Sequence, residues 1–363
     1  MNNSSENRTE NTFSIIIFVF CAMVFFMAYN FRDSSDNFDL PRYYSLMDLF
    51  FSGHEPLWYV ISFMYDYGND FIYYVFLFLF NNTPLGREFV PGLFTALYYF
   101  LLTKSFVKNV KYSSENLLLL LGLFAFPNIM YVVTISRTTA AIVFFCIGVL
   151  FHFKNKKLTS ILFFVMAIMT HFSSLMFVIV FFLTMFLCRF VLKGKIGAVN
   201  TLCVLLPPIM FFLGIGLYNY VLELSLLSSL EDTKYDRYVS TSHGADYSNF
   251  SWLYLLQFYL SLFVAYVMLI INKRSTSFSR ILLMVCLSIT CGLVSASQNL
   301  FNRWLMLLPF LYSLQFAEIF ATNKGLSPLK RNKDIYTIGA VGSLMVLLVF
   351  MMMMYSSHSY FGL

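Results

Sequence analysis

Long apolar runs separated by short polar turns repeat from Phe13 almost to the end of the chain. Runs of about 17 to 25 apolar residues are the length that crosses ~30 Å of hydrocarbon as a helix. The spacing predicts helices near 13–29, 90–107, 115–133, 138–153, 158–171, 173–187, 198–219, 250–271, 281–298, 304–320 and 335–355. The fold class is therefore all-α: one polytopic transmembrane helical bundle of about 11 helices, with no soluble module. The run from Phe13 to Tyr29 has no small-residue cleavage site behind it, so it reads as an uncleaved first helix.

Two segments resist this simple division. Glu55 to Asn81 is interrupted by Tyr65-Asp66-Tyr67-Gly68-Asn69-Asp70, and neither half is long enough to cross alone. A broken helix is tolerated where it lines a cavity or is buried in protein, so a re-entrant hairpin or one kinked pair is expected. Leu158 to Leu187 could form one long tilted helix. Lysines and arginines at both of its ends favour two short helices, with His171-Phe172-Ser173-Ser174 as the turn between them.

Composition agrees: 59% of residues are hydrophobic, 12% are charged and mean hydropathy is +0.72. The six cysteines (Cys21, Cys146, Cys188, Cys203, Cys286, Cys291) form no CxxC pair, and no metal site or disulfide framework is expected. A net charge of +6 is accounted for by helix anchoring, and no nucleic-acid partner is expected. Charge also orients the chain. With the N-terminus inside, 17 of 24 Lys and Arg fall in cytoplasmic segments, Arg280 among them, while 13 of 18 acidic residues fall outside. The expected organisation is a disordered cytoplasmic tail (1–12), one membrane domain (13–355) with outer loops at 30–54 and 220–249, and a short outer tail (356–363).

The outer side then holds the candidate chemistry. Six of its seven basic residues are arginine, whose planar fork binds phosphate bidentately, whereas the inner loops are mostly lysine. Arg137 opens a helix whose next residues, Thr138 to Ala141, are small enough for close packing. Arg303 is expected to open a second helix in the same way. His171 closes the helix after Arg137's, so both should lie at one water interface. Ionisable residues in such a bundle are a site hypothesis by default. The loop at 220–249 places Tyr235, Arg237 and Tyr238 together, a pattern that suits a sugar: rings stack on pyranose faces and charges hold hydroxyls. Each has a plainer reading. The arginines could anchor helix ends, His171 could bond backbone carbonyls, Glu55-Pro56 could only start a helix, and the tyrosine loop could simply be solvated.

Taken in order, these features resemble the EpsG family of Wzy-type polymerases of O-antigen, capsule and exopolysaccharide. The matching residues are Asp36, Arg42 and Tyr43 in an early outer loop, Glu55-Pro56-Leu57, Arg137 to Ala141, the His171-x-Ser173 turn, Tyr235 to Tyr238, and Arg303. Thr138 stands where the family often has glutamine. The resemblance implies a GT-C-like fold and glycosyl transfer at the outer face of the bacterial cytoplasmic membrane. Donor and acceptor would be oligosaccharides on polyprenyl (undecaprenyl) diphosphate, with a flippase and a chain-length regulator as further partners. Arg137, Arg303 and Arg237 would bind the departing diphosphate, with Tyr235, Tyr238 and Arg42 on substrate. Glu55 and His171 are the candidate bases for the acceptor hydroxyl. No DxD-type motif is present, so no metal or other cofactor is expected. The alternatives are a transporter or flippase of lipid-linked sugars, disfavoured by the lack of an internal repeat, and an acyltransferase, which would need a polar inner-face site.

Overall fold

The computed structural model describes residues 3–31, 39–50, 56, 58–59, 62, 71–107, 129–223, 259, 263–270, 272–273, 275–294 and 298–322. Among these, every regular element is helical. Without water in hydrocarbon, a backbone must satisfy its own N–H and C=O groups, and a helix does so within one segment. Ser136–Phe153, Ser174–Val191 and Ile196–Gly216 are long and apolar enough to cross a membrane, and shorter apolar helices accompany them. Large apolar side chains such as Phe18, Leu158, Phe182 and Phe212 are exposed along the helices, as a hydrocarbon surround allows. The chain is a helical membrane protein. It divides into two compact units, residues 1–116 with 127–179 and residues 117–126 with 180–363.

The first unit opens with α1, Asn3–Tyr29. The polar residues expected to form a disordered tail are helical from Asn3. Between Asn3 and Tyr29 there is no glycine or proline, and extending an existing helix is far easier than starting one. The outer loop expected at 30–54 contains a second helix, α2, Asp39–Phe50. Its Leu40, Tyr43 and Met47 recur at helical spacing and are all buried. Next, α3 (Phe71–Asn81) is the second limb of the segment expected to be broken; the interruption at 65–70 lies outside the described residues. Eleven residues rise only about 16 Å, half a bilayer core.

The remaining helices of this unit are α4 (Phe89–Val107), α5 (Ile129–Thr134), α6 (Ser136–Phe153) and α7 (Lys157–Thr170). α1 packs on α4, α4 on α6, and α6 on α7. The α6–α7 turn is made by Asn155 at φ 58°, a left-handed conformation that asparagine tolerates better than most residues. α3 spans neighbouring helix starts. Tyr73, near its beginning, meets the first residue of α6, while Phe80 stacks on Phe89, the first residue of α4, at 4.7 Å.

After α7 the chain breaks, as expected, into a second short helix. α8, Ser174–Phe186, continues as a π-helical turn over Leu187–Val191 and carries the chain into the second unit. There follow α9 (Ile196–Glu223), a helical stretch at 263–270, α10 (Phe278–Leu293) and α11 (Gln298–Thr322). Pro207 and Pro208 sit inside α9 and cannot donate to the carbonyls four residues earlier. The Tyr266 hydroxyl donates to one of these, the Val204 oxygen, at 3.4 Å. α9 and α10 meet backbone to backbone: a Cβ on Gly214 would lie 2.1 Å from the Gly292 carbonyl oxygen. The helix expected at 335–355 and the tail after it lie outside the described residues.

Candidate functional site

The site of interest in the first unit is built around the break between α5 and α6. Ile135 leaves helical geometry (φ −98°, ψ 43°), so α6 starts afresh at Ser136. Thr139 stitches the break, donating its hydroxyl to the Val132 carbonyl at 2.6 Å. Thr138, Thr139, Ala140 and Ala141 are all buried, so the first turns of α6 are gripped by neighbouring helices. Arg137 is thus the second residue of a fixed helix start and is half-buried.

Its guanidinium carbon lies 5.1 Å from the centroid of the Tyr43 ring, within cation–π range. Tyr43 is only 1% exposed and stands on α2 against Tyr73 at 5.7 Å and Tyr74 at 5.8 Å, both T-shaped. Tyr73 is in turn fixed by a 2.5 Å hydrogen bond between its hydroxyl and that of Ser136, the residue before Arg137. The next tyrosine of α2 faces a second arginine. Arg87 lies 4.6 Å over the Tyr44 ring and grips Asp48 with both nitrogens, at 2.5 Å and 3.0 Å. Burial alone would lower the Arg87 pKa, but the hydrogen bond and charge of Asp48 outweigh it and hold the group above its ordinary value.

His171 closes α7 and is 4% exposed. Its backbone is extended (φ −156°, ψ 115°); its N–H donates to Ala167 and its carbonyl accepts from the Ser174 N–H. Ring contacts set the register of these helices: Phe145 of α6 meets Phe164 of α7 at 5.6 Å and Phe177 of α8 at 5.8 Å. Because α6 and α7 form a hairpin turning at Asn155, His171 lies at the same end of the unit as Arg137. The Ser174 hydroxyl is fully buried at that turn without a hydrogen-bond partner among the described residues.

The other predicted residues divide differently. Arg42 lies in α2, with its side chain outside the described set; Glu55, Tyr235, Arg237 and Tyr238 lie outside the described residues. Arg303 does not open a helix. α11 begins at Gln298, which makes Arg303 its sixth residue, 8% exposed between Asn302 and the buried Trp304. Gln298, expected to end the preceding helix, and Asn299, expected to be loop, are absorbed into the helix whose next turn is anchored by Phe301 and Trp304. Arg303 belongs to the second unit, whereas Arg137 and His171 belong to the first.

Sequence reasoning missed two groups. One is the tyrosine support of Arg137; the Leu40, Tyr43, Met47 spacing was its signal. The other is a polar network in the second unit. Arg280, counted as an inner anchor, is 1% exposed. It donates to Asn200 Oδ1 at 2.7 Å, to the Leu269 carbonyl at 2.8 Å and to the Ser275 carbonyl at 2.7 Å. Beside it, Glu318 of α11 accepts from Ser275 at 2.5 Å, from Ser277 at 2.6 Å and from Ser279. Gln315 links this set onward, donating to Ser279 at 2.7 Å and accepting from Asn272 at 3.0 Å. The network joins α9, the stretch at 263–270, α10 and α11 at one end of the second unit.

Among curated proteins and among solved structures, nothing matches the chain. The EpsG family matches residues 13–362, nearly the whole length. The chain belongs to the EpsG family, the Wzy-like polymerase family, whose general role is that of a polysaccharide polymerase.

Proposed function

We propose that this protein joins oligosaccharide repeat units carried on polyprenyl diphosphate, at the outer face of the bacterial cytoplasmic membrane. The observation that carries this reading is the fixed placement of Arg137 at the start of α6, at the same end as the His171 turn. The acceptor hydroxyl, at the non-reducing end of one unit, attacks the anomeric carbon of the growing chain. The bond from that carbon to the diphosphate oxygen breaks, and the leaving diphosphate takes the electron pair. Arg137 stabilises that developing charge, and a fixed cation in a water-poor site needs little reorganisation to do so. The acceptor's proton passes to a base, for which His171 and Glu55 are the candidates. The products are a longer lipid-linked chain and free polyprenyl diphosphate.

Arg303 and Arg237 are proposed as further phosphate ligands, Arg42, Tyr235 and Tyr238 as substrate contacts, and a flippase and a chain-length regulator as partners. The family gives no support to an acyltransferase. The test is a gel of surface glycans from a strain lacking this protein. Glycans capped with a single repeat unit are expected. Units trapped on the carrier at the cytoplasmic face would overturn the reading in favour of a flippase.

A further inference from the structure

We propose that Tyr43 is a positioning residue for Arg137, its buried ring face aiming the guanidinium at the leaving diphosphate. This rests on the function proposed above. An arginine that must receive a diphosphate has to be held in one orientation. A carboxylate holds arginine well but competes with the phosphate for the same fork; Arg87, doubly bonded to Asp48, is an example in the same unit. An aromatic face holds a cation through its quadrupole, and the Tyr43 ring does so for Arg137.

The ring itself is over-determined. Tyr43 is buried between Tyr73 and Tyr74, and Tyr73 is hydrogen-bonded to Ser136, so the support closes back onto Arg137's own chain neighbour. On the adjoining face of α2, Arg87 pins Tyr44 and Asp48. Successive helical residues point about 100° apart, so the two arginines fix α2 from two directions. The helix expected to be a polar loop thus becomes the mount of the proposed phosphate-binding cation.

The experiment uses the full chain in lipid nanodiscs, with lipid-linked repeat units isolated from a polymerase-deficient strain as substrate. Position 43 carries phenylalanine (Tyr43→Phe) or its mono-, di- and trifluorinated forms, which change ring charge with little change in size. The expected result is a stepwise fall in kcat with each fluorine, reaching about tenfold, with equal protein yield and melting temperature. Tyr43→Leu should fall further than Tyr43→Phe. In an Arg137→Ala background, fluorination should change nothing. A flat fluorine series alongside an inactive Arg137→Ala overturns the positioning role and leaves the proposed function standing. Wild-type polymerisation by Arg137→Ala overturns the role of Arg137 itself, and the positioning role with it.

Discussion

Ser160 donates its hydroxyl to the Gly148 carbonyl at 2.8 Å, and this contact sets how closely α7 lies against α6. A Cβ on Gly148 would lie 2.6 Å from the Phe164 ring and 3.2 Å from the Ser160 carbonyl oxygen. Gly148→Val must therefore push the hairpin open. The expected cost is about 1–3 kcal/mol, the usual range for overpacking. It should register as a lower melting temperature in detergent, with polymer yield falling alongside because the hairpin holds Arg137 and His171 at one level. An unchanged melting temperature would mean that α7 yields freely at this point.

Arg137→Ala should abolish long polymer and leave single repeat units on the lipid carrier. The expected loss of rate is on the order of 10²–10³, the size seen when one fixed stabiliser of transition-state charge is removed. Arg137→Lys should rescue only weakly, because an ammonium cannot reproduce a bidentate fork. Arg303→Ala is expected to give the same glycan pattern. Polymer of normal length from both alanine variants would remove these arginines from the mechanism.

Two basic residues assigned by charge to the same side should behave in opposite ways. Lys156→Ala should be nearly silent, since Lys156 is exposed in the α6–α7 turn. Arg280→Met keeps the bulk but leaves Asn200 Oδ1 and the Leu269 and Ser275 carbonyls without their donor. The Leu269 bond is buried and the other two are half-buried. A stranded buried acceptor costs about 1–3 kcal/mol, so a drop in melting temperature and membrane yield is expected. Equal stability of the two variants would show that the network contributes little.

Polymerisation by purified protein should persist in chelator. The charge stabilisation assigned here comes from arginine side chains, which EDTA does not touch. Loss of product in EDTA with recovery on adding Mg²⁺ would overturn that assignment.

The α6–α7–α8 arrangement was legible because several local signals agree there. Small residues follow Arg137, lysines crowd the Asn155 turn, and polar residues from Thr170 to Ser174 interrupt an apolar run. The start of α11 was not legible, because Gln298 looks like the end of the preceding helix and Asn299 like loop unless the burial of Phe301 and Trp304 is known. The Arg280 network was hidden for a related reason. Its serines read as a turn, and Arg280 reads as one more inner cation, until Glu318 from a distant helix is brought to them. Glu318 was still a signal: it is the one acid in the whole of Gln298–Thr322, and an acid in such a segment merits the attention given to Arg137.

Glu318 and Arg303 ride on the same helix, about 22 Å apart along its axis. Between them Pro309 omits one rung of the helical ladder. One end of α11 is moored by a web of serines, and the other carries a guanidinium among buried neighbours. One helix thus joins a serine-moored carboxylate to the arginine proposed as a phosphate ligand. Under that proposal, a change that loosens Glu318 would reach Arg303 along α11, past the missing rung at Pro309.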